Sequence, residues 1–480
     1  MQNAVEQNVQ TSNELKRSLT ARHLNMIAMG GAIGTGIFLA LGATINQAGP
    51  GGALVAYGCI GIMVYFLMTS LGEMATFMPD SGSFGTYASK FVDPAFGFAM
   101  GWNYWYNWAI TVAAEMVAGA LLMKFWFPNV PALVWSVVFL ALIVGLNLLS
   151  ARAYGESEYW FASIKVITVI IFILIGVATI VGIIGGNAVG FKNFTVGEAP
   201  FVGGAKSIFM VFLIAGFSFQ GTELVGIAAG ESEDPEKNIP KAINTIFWRI
   251  LIFYIGTIFV VGALIPYTDA GVDTSPFTLV FQKAGIAAAA SLMNAVILTS
   301  VLSAGNSGMY ASSRMLYAMA KDGKAPAWLA KVNSRGVPIN SLIVTTIVAS
   351  LCFLTGLYAE TTVYVWLVAA SGLAGFVAWL GIALCHYRFR KAYVAQGRDL
   401  KKLKYVAKLF PLGPVIAMVL CIVVTLGQGL SYFEADKIDW NGVISSYIGL
   451  PLFIGLWWSY KRKHKTKVVD LMEVNFDTTE

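Results

Sequence analysis

The sequence predicts an all-α integral membrane protein of twelve transmembrane helices, built as a 5+5 inverted repeat followed by two extra helices. Three observations carry this prediction. The chain has 480 residues, is 57% hydrophobic and only 12% charged, and has a mean hydropathy of +0.69. A soluble chain of that length cannot hide so much apolar surface. Apolar stretches able to cross roughly 30 Å of hydrocarbon recur about twelve times. Two of these stretches, far apart, are interrupted by glycines and small polar residues: Gly30-Gly31-Ala32-Ile33-Gly34-Thr35-Gly36 and Ala215-Gly216-Phe217-Ser218-Phe219-Gln220-Gly221-Thr222-Glu223. An unpaired backbone group costs several kcal/mol in a bilayer, so non-helical backbone survives there only against protein, water or a ligand. Paired interruptions in two halves of a chain point to the binding site of a secondary transporter.

Taken in order, a polar tail covers 1–20 and the first six spans are expected at 23–46, 52–77, 97–127, 131–150, 157–186 and 203–229. The second six follow at 239–266, 284–320, 339–357, 361–388, 410–430 and 443–461. The polar start, with no A-x-A site after the first apolar run, argues against a cleaved signal peptide. Spans three and eight are longer than one crossing needs, which implies tilt or continuation into the interface. The interruptions fall in spans one and six, five helices apart. Five is odd, so the second set starts from the opposite side and the repeat is inverted. The repeats are then 21–186 and 203–390, with 410–461 added outside them and 462–480 left as a tail. The segment from Pro79 to Pro94 reads as a short helix at the inner face. The basic stretch from Arg388 to Lys408 reads as a loop too short to bury its own core.

The formal charge of +6 is a topology signal. With the N-terminus inside, Lys16, Arg17, Arg22, Lys237, Lys241, the 388–408 cluster and the tail Lys461, Arg462, Lys463, Lys465 and Lys467 all fall on the inner side. The expected outer loops carry only Lys192, Lys283 and Lys437. By the positive-inside rule both termini are cytoplasmic. Nucleic acid is not indicated as a partner, whereas the runs at 398–408 and 461–467 suit contact with anionic lipid. Cys59, Cys352, Cys385 and Cys421 all lie in apolar spans and form no disulfide or metal spacing. His23, His386 and His464 sit beside basic residues at membrane edges and read as interfacial.

Candidate binding residues follow from the interruptions. In span one, Gly31, Ala32, Ile33, Gly34, Thr35 and Gly36 leave backbone N–H groups approachable. A half-helix N-terminus adds a dipole that favours a carboxylate, and the Thr35 hydroxyl is a further donor. Close packing by small residues is the competing reading. In span six, carbonyls around Ala215–Phe219, Ser218 among them, can accept from an α-ammonium, and Phe217 can close over the ligand or simply pack. Glu223 stands just past the break, where an intramembrane carboxylate is either functional or a helix cap. In span three, Tyr104, Trp108, Thr111 and Glu115 share one helical face. They can receive a long cationic side chain by cation–π contact and then charge, unless the aromatics belong to the interfacial belt. Lys165 is the lone charge from Phe161 to Ile184. It needs acceptors, loses its proton, or snorkels to the inner surface. Glu231, in the acidic segment Gly230–Pro240, can form a gating salt bridge with a cytoplasmic arginine.

The runs Gly30–Gly36, Gln47-Ala48-Gly49-Pro50-Gly51, Gly72-Glu73-Met74, Gly101-Trp102-Asn103-Tyr104-Trp105-Tyr106-Asn107-Trp108, Gly216–Glu223 and Gly230-Glu231-Ser232-Glu233-Asp234-Pro235-Glu236-Lys237-Asn238-Ile239-Pro240 carry a resemblance. The chain resembles the amino acid permeases of the amino acid–polyamine–organocation superfamily over nearly its full length, and within it the bacterial members that import lysine. The resemblance implies a LeuT-like fold and residence in the bacterial inner membrane. It also implies L-lysine uptake coupled to protons, with no cofactor and no sodium. In proton-coupled relatives a lysine at the place of Lys165 stands where others bind sodium, joining carbonyls of the first span to the eighth near Ser303. Related permeases for other amino acids carry an acid at the place of Glu115, so that residue does not by itself specify lysine. Arginine, ornithine or another amino acid as cargo stays open, as do exchange in place of uptake and the oligomeric state. A membrane sensor that binds without transport is the alternative class, although the chain has no output domain. An enzyme lacks support, since no metal cluster, nucleophile set or phosphate loop is found.

Overall fold

Hydrocarbon offers the backbone no hydrogen-bond partner, so spanning segments must close their own bonds as helices. In the computed structural model, residues 19–30, 33–80, 82–149, 151–245, 248, 250–270, 275–283, 287–427, 429, 433, 438 and 440–476 are described. They contain helices and one isolated bridge between Leu19 and Ser232, and no strand. Seven of the helices are long and apolar enough to cross a membrane, and three shorter apolar ones accompany them.

The helices open with α1 (Ala21–Gly30), resume after the break as a π-helical turn (Gly36–Ala40), and run straight into α2 (Leu41–Phe77). The helix α2 is two spans joined at a kink. Gly49 adopts φ 74° and ψ 169°, a left-handed value suited to glycine, and Pro50 has no N–H to continue the ladder. The opened backbone is satisfied across the molecule. Gly51 and Gly52 N–H donate to the Pro200 carbonyl at 2.9 and 3.2 Å, and Val202 N–H to that of Ala48 at 3.1 Å.

A short buried helix α3 (Ser83–Phe91) lies where one is expected, followed by α4 (Pro94–Met123). Asp93 caps α4 by accepting from the Ala95 N–H at 2.9 Å, with Pro94 in the first turn. Next come α5 (Ala132–Asn147) and α6 (Ala151–Ile180). The helices α7 (Gly204–Met210), α8 (Phe212–Phe219) and α9 (Leu224–Ala228) together form the other broken span. The chain continues through α10 (Pro235–Asn244), a π-helical stretch (Ile250–Gly256), α11 (Thr257–Leu264), α12 (Pro276–Lys283), α13 (Ala287–Lys321), α14 (Ile339–Ala349) and α15 (Glu360–Ala395). Then α16 (Leu412–Gly427), α17 (Trp440–Tyr447) and α18 (Gly449–His464) follow.

The helix α4 is the central pillar, packed between α13 and α15, with 89% of its apolar window buried. The same measure is 28% for α6, whose Ile167, Ile171 and Leu174 face outward as a lipid-facing surface does.

Two expectations need correction. The basic stretch from Arg388 is not all loop, because α15 stays helical to Ala395. Arg390 on it is buried and gives a bidentate hydrogen bond to Glu73 of α2, a carboxylate that also accepts from the Ala407 N–H at 2.6 Å. Removing one partner of a buried pair like this costs about 3–5 kcal/mol, so it ties α2 to α15. His23 and His386 are also not exposed at an interface. Each is buried beside a carboxylate, Glu156 at 3.1 Å and Glu73 at 3.3 Å. The tail after α18 packs back onto the helices. Phe476 inserts among Phe77, Phe91, Phe389 and Tyr393, and Val469 N–H donates to the Val92 carbonyl at 2.9 Å.

Candidate substrate site between the broken helices

The break in the sixth span lies later than the glycine pattern suggests. Residues 212–219 are helical, and the chain opens at Gln220 (ψ 144°) and Gly221 (φ 98°), resuming at Leu224. Gly216 belongs to the helix because its missing Cβ makes room for the Phe376 ring. The expected free carbonyls around Ala215–Phe219 are largely committed. Tyr254 donates to the Ser218 carbonyl at 2.6 Å, and the Gln220 N–H to that of Phe217 at 3.2 Å.

In the first span, Gly31 and Ala32 lie outside the described residues. Ile33 N–H closes a turn on the Gly30 carbonyl at 3.1 Å, and the Ile33 carbonyl accepts from Ser300 at 3.0 Å. The Thr35 hydroxyl is engaged, donating to Glu115 Oε1 at 2.9 Å. Gly36 meets Ser218 so closely that any Cβ would run into that residue's backbone, and here the two broken spans touch. Ser218 in turn shares a hydroxyl hydrogen bond of 2.7 Å with Tyr57 of α2.

Between these breaks is a small cavity lined by Gly34, Thr35, Gly36, Trp108, Thr111, Glu115, Phe217, Ser218, Gln220 and Ala304. Among the described residues, three buried polar atoms of its lining have no hydrogen-bond partner: Trp108 Nε1, Glu115 Oε2 and Gln220 Oε1. Buried polar groups are nearly always paired, so one donor and two acceptors left open mark a place for a polar guest. A zwitterion matches that set, since its carboxylate accepts and its ammonium donates.

The stripe on α4 divides at this point. Trp108, Thr111 and Glu115 reach the cavity, but Tyr104 does not line it. Its hydroxyl donates to Glu223 Oε1 at 3.3 Å, while Trp379 donates to Glu223 Oε2 at 3.2 Å and the Gly221 N–H donates to the same oxygen at 3.1 Å. Glu223 is thus a brace joining α4 and α15 to the break, outside the cavity lining. Trp102 and Trp105 are half-buried and bonded to the Lys324 carbonyl and the Thr345 hydroxyl.

Lys165 does not snorkel. It is fully buried, and its Nζ donates to the Gly30 carbonyl at 2.9 Å. It also faces Glu158 Oε1 at 3.8 Å, and Ser303 of α13 donates to the two Glu158 oxygens at 2.8 and 2.7 Å. Sequence reading missed Glu158, because the search for charges in that span began at Phe161. Its spacing of seven from Lys165, two helical turns, was the available signal.

Beyond the break of the sixth span, Glu231 accepts from Tyr310 at 2.5 Å and from buried Arg314 at 3.2 Å. The Arg314 guanidinium lies 4.0 Å from the Tyr310 ring centre, and Tyr154 stacks on that ring at 4.0 Å. Leu19 N–H donates to the Glu231 carbonyl at 3.0 Å, pinning the chain before α1 to the same cluster. No group of three or more His, Cys, Asp or Glu side chains placed to hold a metal occurs among the described residues.

Comparison with known proteins agrees with this architecture. The family model described as amino acid permease matches residues 23–473. The lysine-specific permease LysP of Escherichia coli (strain K12) is 57% identical over 471 residues, covering 96% of each chain. The lysine-specific permease LysP of Lactococcus lactis subsp. cremoris (strain MG1363) is 54% identical, covering 98% of this chain and 94% of its own. The histidine permease HisP of the same Lactococcus strain is 50% identical over 97% of this chain and 99% of its own. In fold, the chain is similar to a manganese transporter from Eremococcus coleocola with a TM-score of 0.57 at 12% identity, over 93% of this chain and 94% of that one. A family match across nearly the whole length, on a multi-pass helical membrane fold with two broken spans, establishes that this chain belongs to the amino acid permease family.

Proposed function

We propose that this chain is a transporter that imports L-lysine across the bacterial inner membrane by proton symport and alternating access, with both termini in the cytoplasm. The observation that carries the reading is the small cavity between the two broken spans, with Glu115 Oε2, Trp108 Nε1 and Gln220 Oε1 unpaired in its lining. The backbone at Gly34–Gly36 and the Trp108 N–H suit the substrate carboxylate. Glu115 suits an ammonium group, and Phe217 closes the site. Lysine as cargo draws support from relatives at 57% and 54% identity that are named lysine-specific permeases.

Protons as the coupling ion draw support from Lys165, buried with its Nζ on the Gly30 carbonyl, the place where the resemblance puts the lysine of proton-coupled relatives. The cluster of Glu231, Tyr310 and Arg314 serves as an inner gate that must part before release. No cofactor enters this scheme, and no bond is made or broken, so the chain is not an enzyme. The relative at 50% identity named a histidine permease keeps histidine as a second cargo to test.

The test is uptake of labelled lysine into sealed liposomes holding the purified protein, with and without an inward proton gradient, against unlabelled arginine, ornithine and histidine. Proton-driven accumulation that resists these competitors supports the reading. Counterflow without accumulation replaces it with an exchanger, and binding without movement replaces it with a sensor.

A further inference from the structure

We propose that Glu158 is a positioning residue for ion coupling, the buried counter-ion that keeps Lys165 charged and seated on the carbonyl of Gly30. The inference rests on the reading of the chain as a proton-coupled importer. Both side chains are fully buried on one face of α6, with 3.8 Å between Nζ and Oε1. Three elements converge on this carboxylate. From α13, Ser303 donates to both oxygens. From the end of α1, the backbone comes so near that a Cβ at Gly30 would stand 2.7 Å from Glu158 Oε1 and 2.6 Å from Ala162 Cβ. Along α6 itself stands the ammonium. Glycine at position 30 is what lets the broken first span rest on the pair.

The chemistry follows from burial. An ammonium alone in an apolar interior sheds its proton, whereas an adjacent carboxylate holds it charged. The groups facing the pair are few. Tyr154 and Lys165 lie on α6, Ser303 and Ser307 on α13, the Gly30 carbonyl on α1, and Glu115 acts on Lys165 from α4. Arg314 and Glu231 act on Tyr154. Glu115 and Glu158 against Lys165 are two acids and one base, so a single added proton neutralises the trio. Glu158 therefore favours the charged form of Lys165, and its loss lets the lysine shed its proton more readily.

The experiment uses the full chain in liposomes and reads the pH profile of lysine uptake for wild type, Glu158→Gln, Glu158→Asp and Ser303→Ala. Failure of wild type to couple uptake to protons refutes the proposed function, separately from this inference. Given coupling, Glu158→Gln shifts the profile towards acid by about one pH unit or more, since Lys165 then needs a higher proton concentration to stay charged. Lysine counterflow survives at the acid end, and Glu158→Asp restores most of the wild-type profile. Ser303→Ala shifts it the same way by less. A Glu158→Gln profile that overlays wild type overturns the proposal. If that variant does not fold, an unshifted Ser303→Ala profile overturns it instead.

Discussion

Glu115 offers the sharpest single perturbation of the candidate site. The side chain is 3% exposed, with one oxygen taking the Thr35 hydroxyl at 2.9 Å and the other unpaired in the cavity lining. Replacing it with glutamine keeps the shape and an acceptor for Thr35, but removes the carboxyl oxygen that faces the guest and with it the capacity to carry a charge there. A hydrogen bond to a charged group contributes about 1.5–3 kcal/mol, so the loss corresponds to roughly a 10- to 150-fold weaker lysine affinity. Folding should be little affected, because the Thr35 bond survives. The assay is equilibrium binding of labelled lysine to purified wild type and Glu115→Gln, with a thermal melt on each. Norleucine, which lacks the ε-ammonium, serves as competitor. If Glu115 reads that ammonium, the variant loses most of the preference for lysine over norleucine. Unchanged lysine affinity in a well-folded variant would refute the reasoning.

Three further outcomes follow from the same geometry. Gly36→Ala forces a methyl group into Ser218 at the contact of the broken spans, an overpacking cost of about 1–3 kcal/mol. Uptake should fall roughly 5- to 150-fold, while Gly58→Ala, with open space around it, leaves uptake unchanged. Glu223→Gln should keep lysine affinity within about threefold, since the residue braces Tyr104 and Trp379 outside the cavity. Its melt should drop by the equivalent of about 1.5–3 kcal/mol for the lost charge-assisted bonds. Asp93 joins the start of α4 to Lys461 at 2.5 Å and Thr466 at 2.6 Å. Burial pushes its carboxyl up, but the bonds from Lys461, Thr466 and Ala95 overcome that and hold it below the ordinary carboxylate range. Its stabilisation is thus present above the unfolded-state value and lost as pH falls through the lower folded one. Asp93→Asn should lower the melting temperature at pH 7, with the difference shrinking below about pH 4.

Features whose physics is local were legible in the sequence. The break of the first span could be placed because glycine at that density cannot sustain a straight helix. The α4 stripe was legible because helical spacing alone puts Trp108 and Glu115 on one face. The break within the sixth span was drawn too early because glycine has two uses. Gly216 makes room for a ring inside a helix, whereas Gly221 takes φ 98° and breaks it, and only tertiary contact tells them apart. Which residues meet across the chain was not legible, although an arginine partner for Glu231 was expected. Nothing local announces that Glu73 waits for Arg390, that Glu223 is held by Trp379, or that Glu231 meets Arg314. Lys165 was singled out as a lone charge, and its counter-ion was two helical turns away.

The central claim is that lysine binds between the two broken spans, and substrate protection of a cysteine placed there tests it most directly. Ala304 lines the cavity, and its Cβ stands 3.1 Å from where a side chain on Gly34 would begin. With Ala304→Cys in a background whose four native cysteines are replaced by serine or alanine, the rate of thiol labelling is measured against lysine concentration. The account predicts that lysine slows labelling with a midpoint equal to its binding constant, and that norleucine protects only at higher concentration. Labelling that proceeds at the same rate under saturating lysine would contradict it.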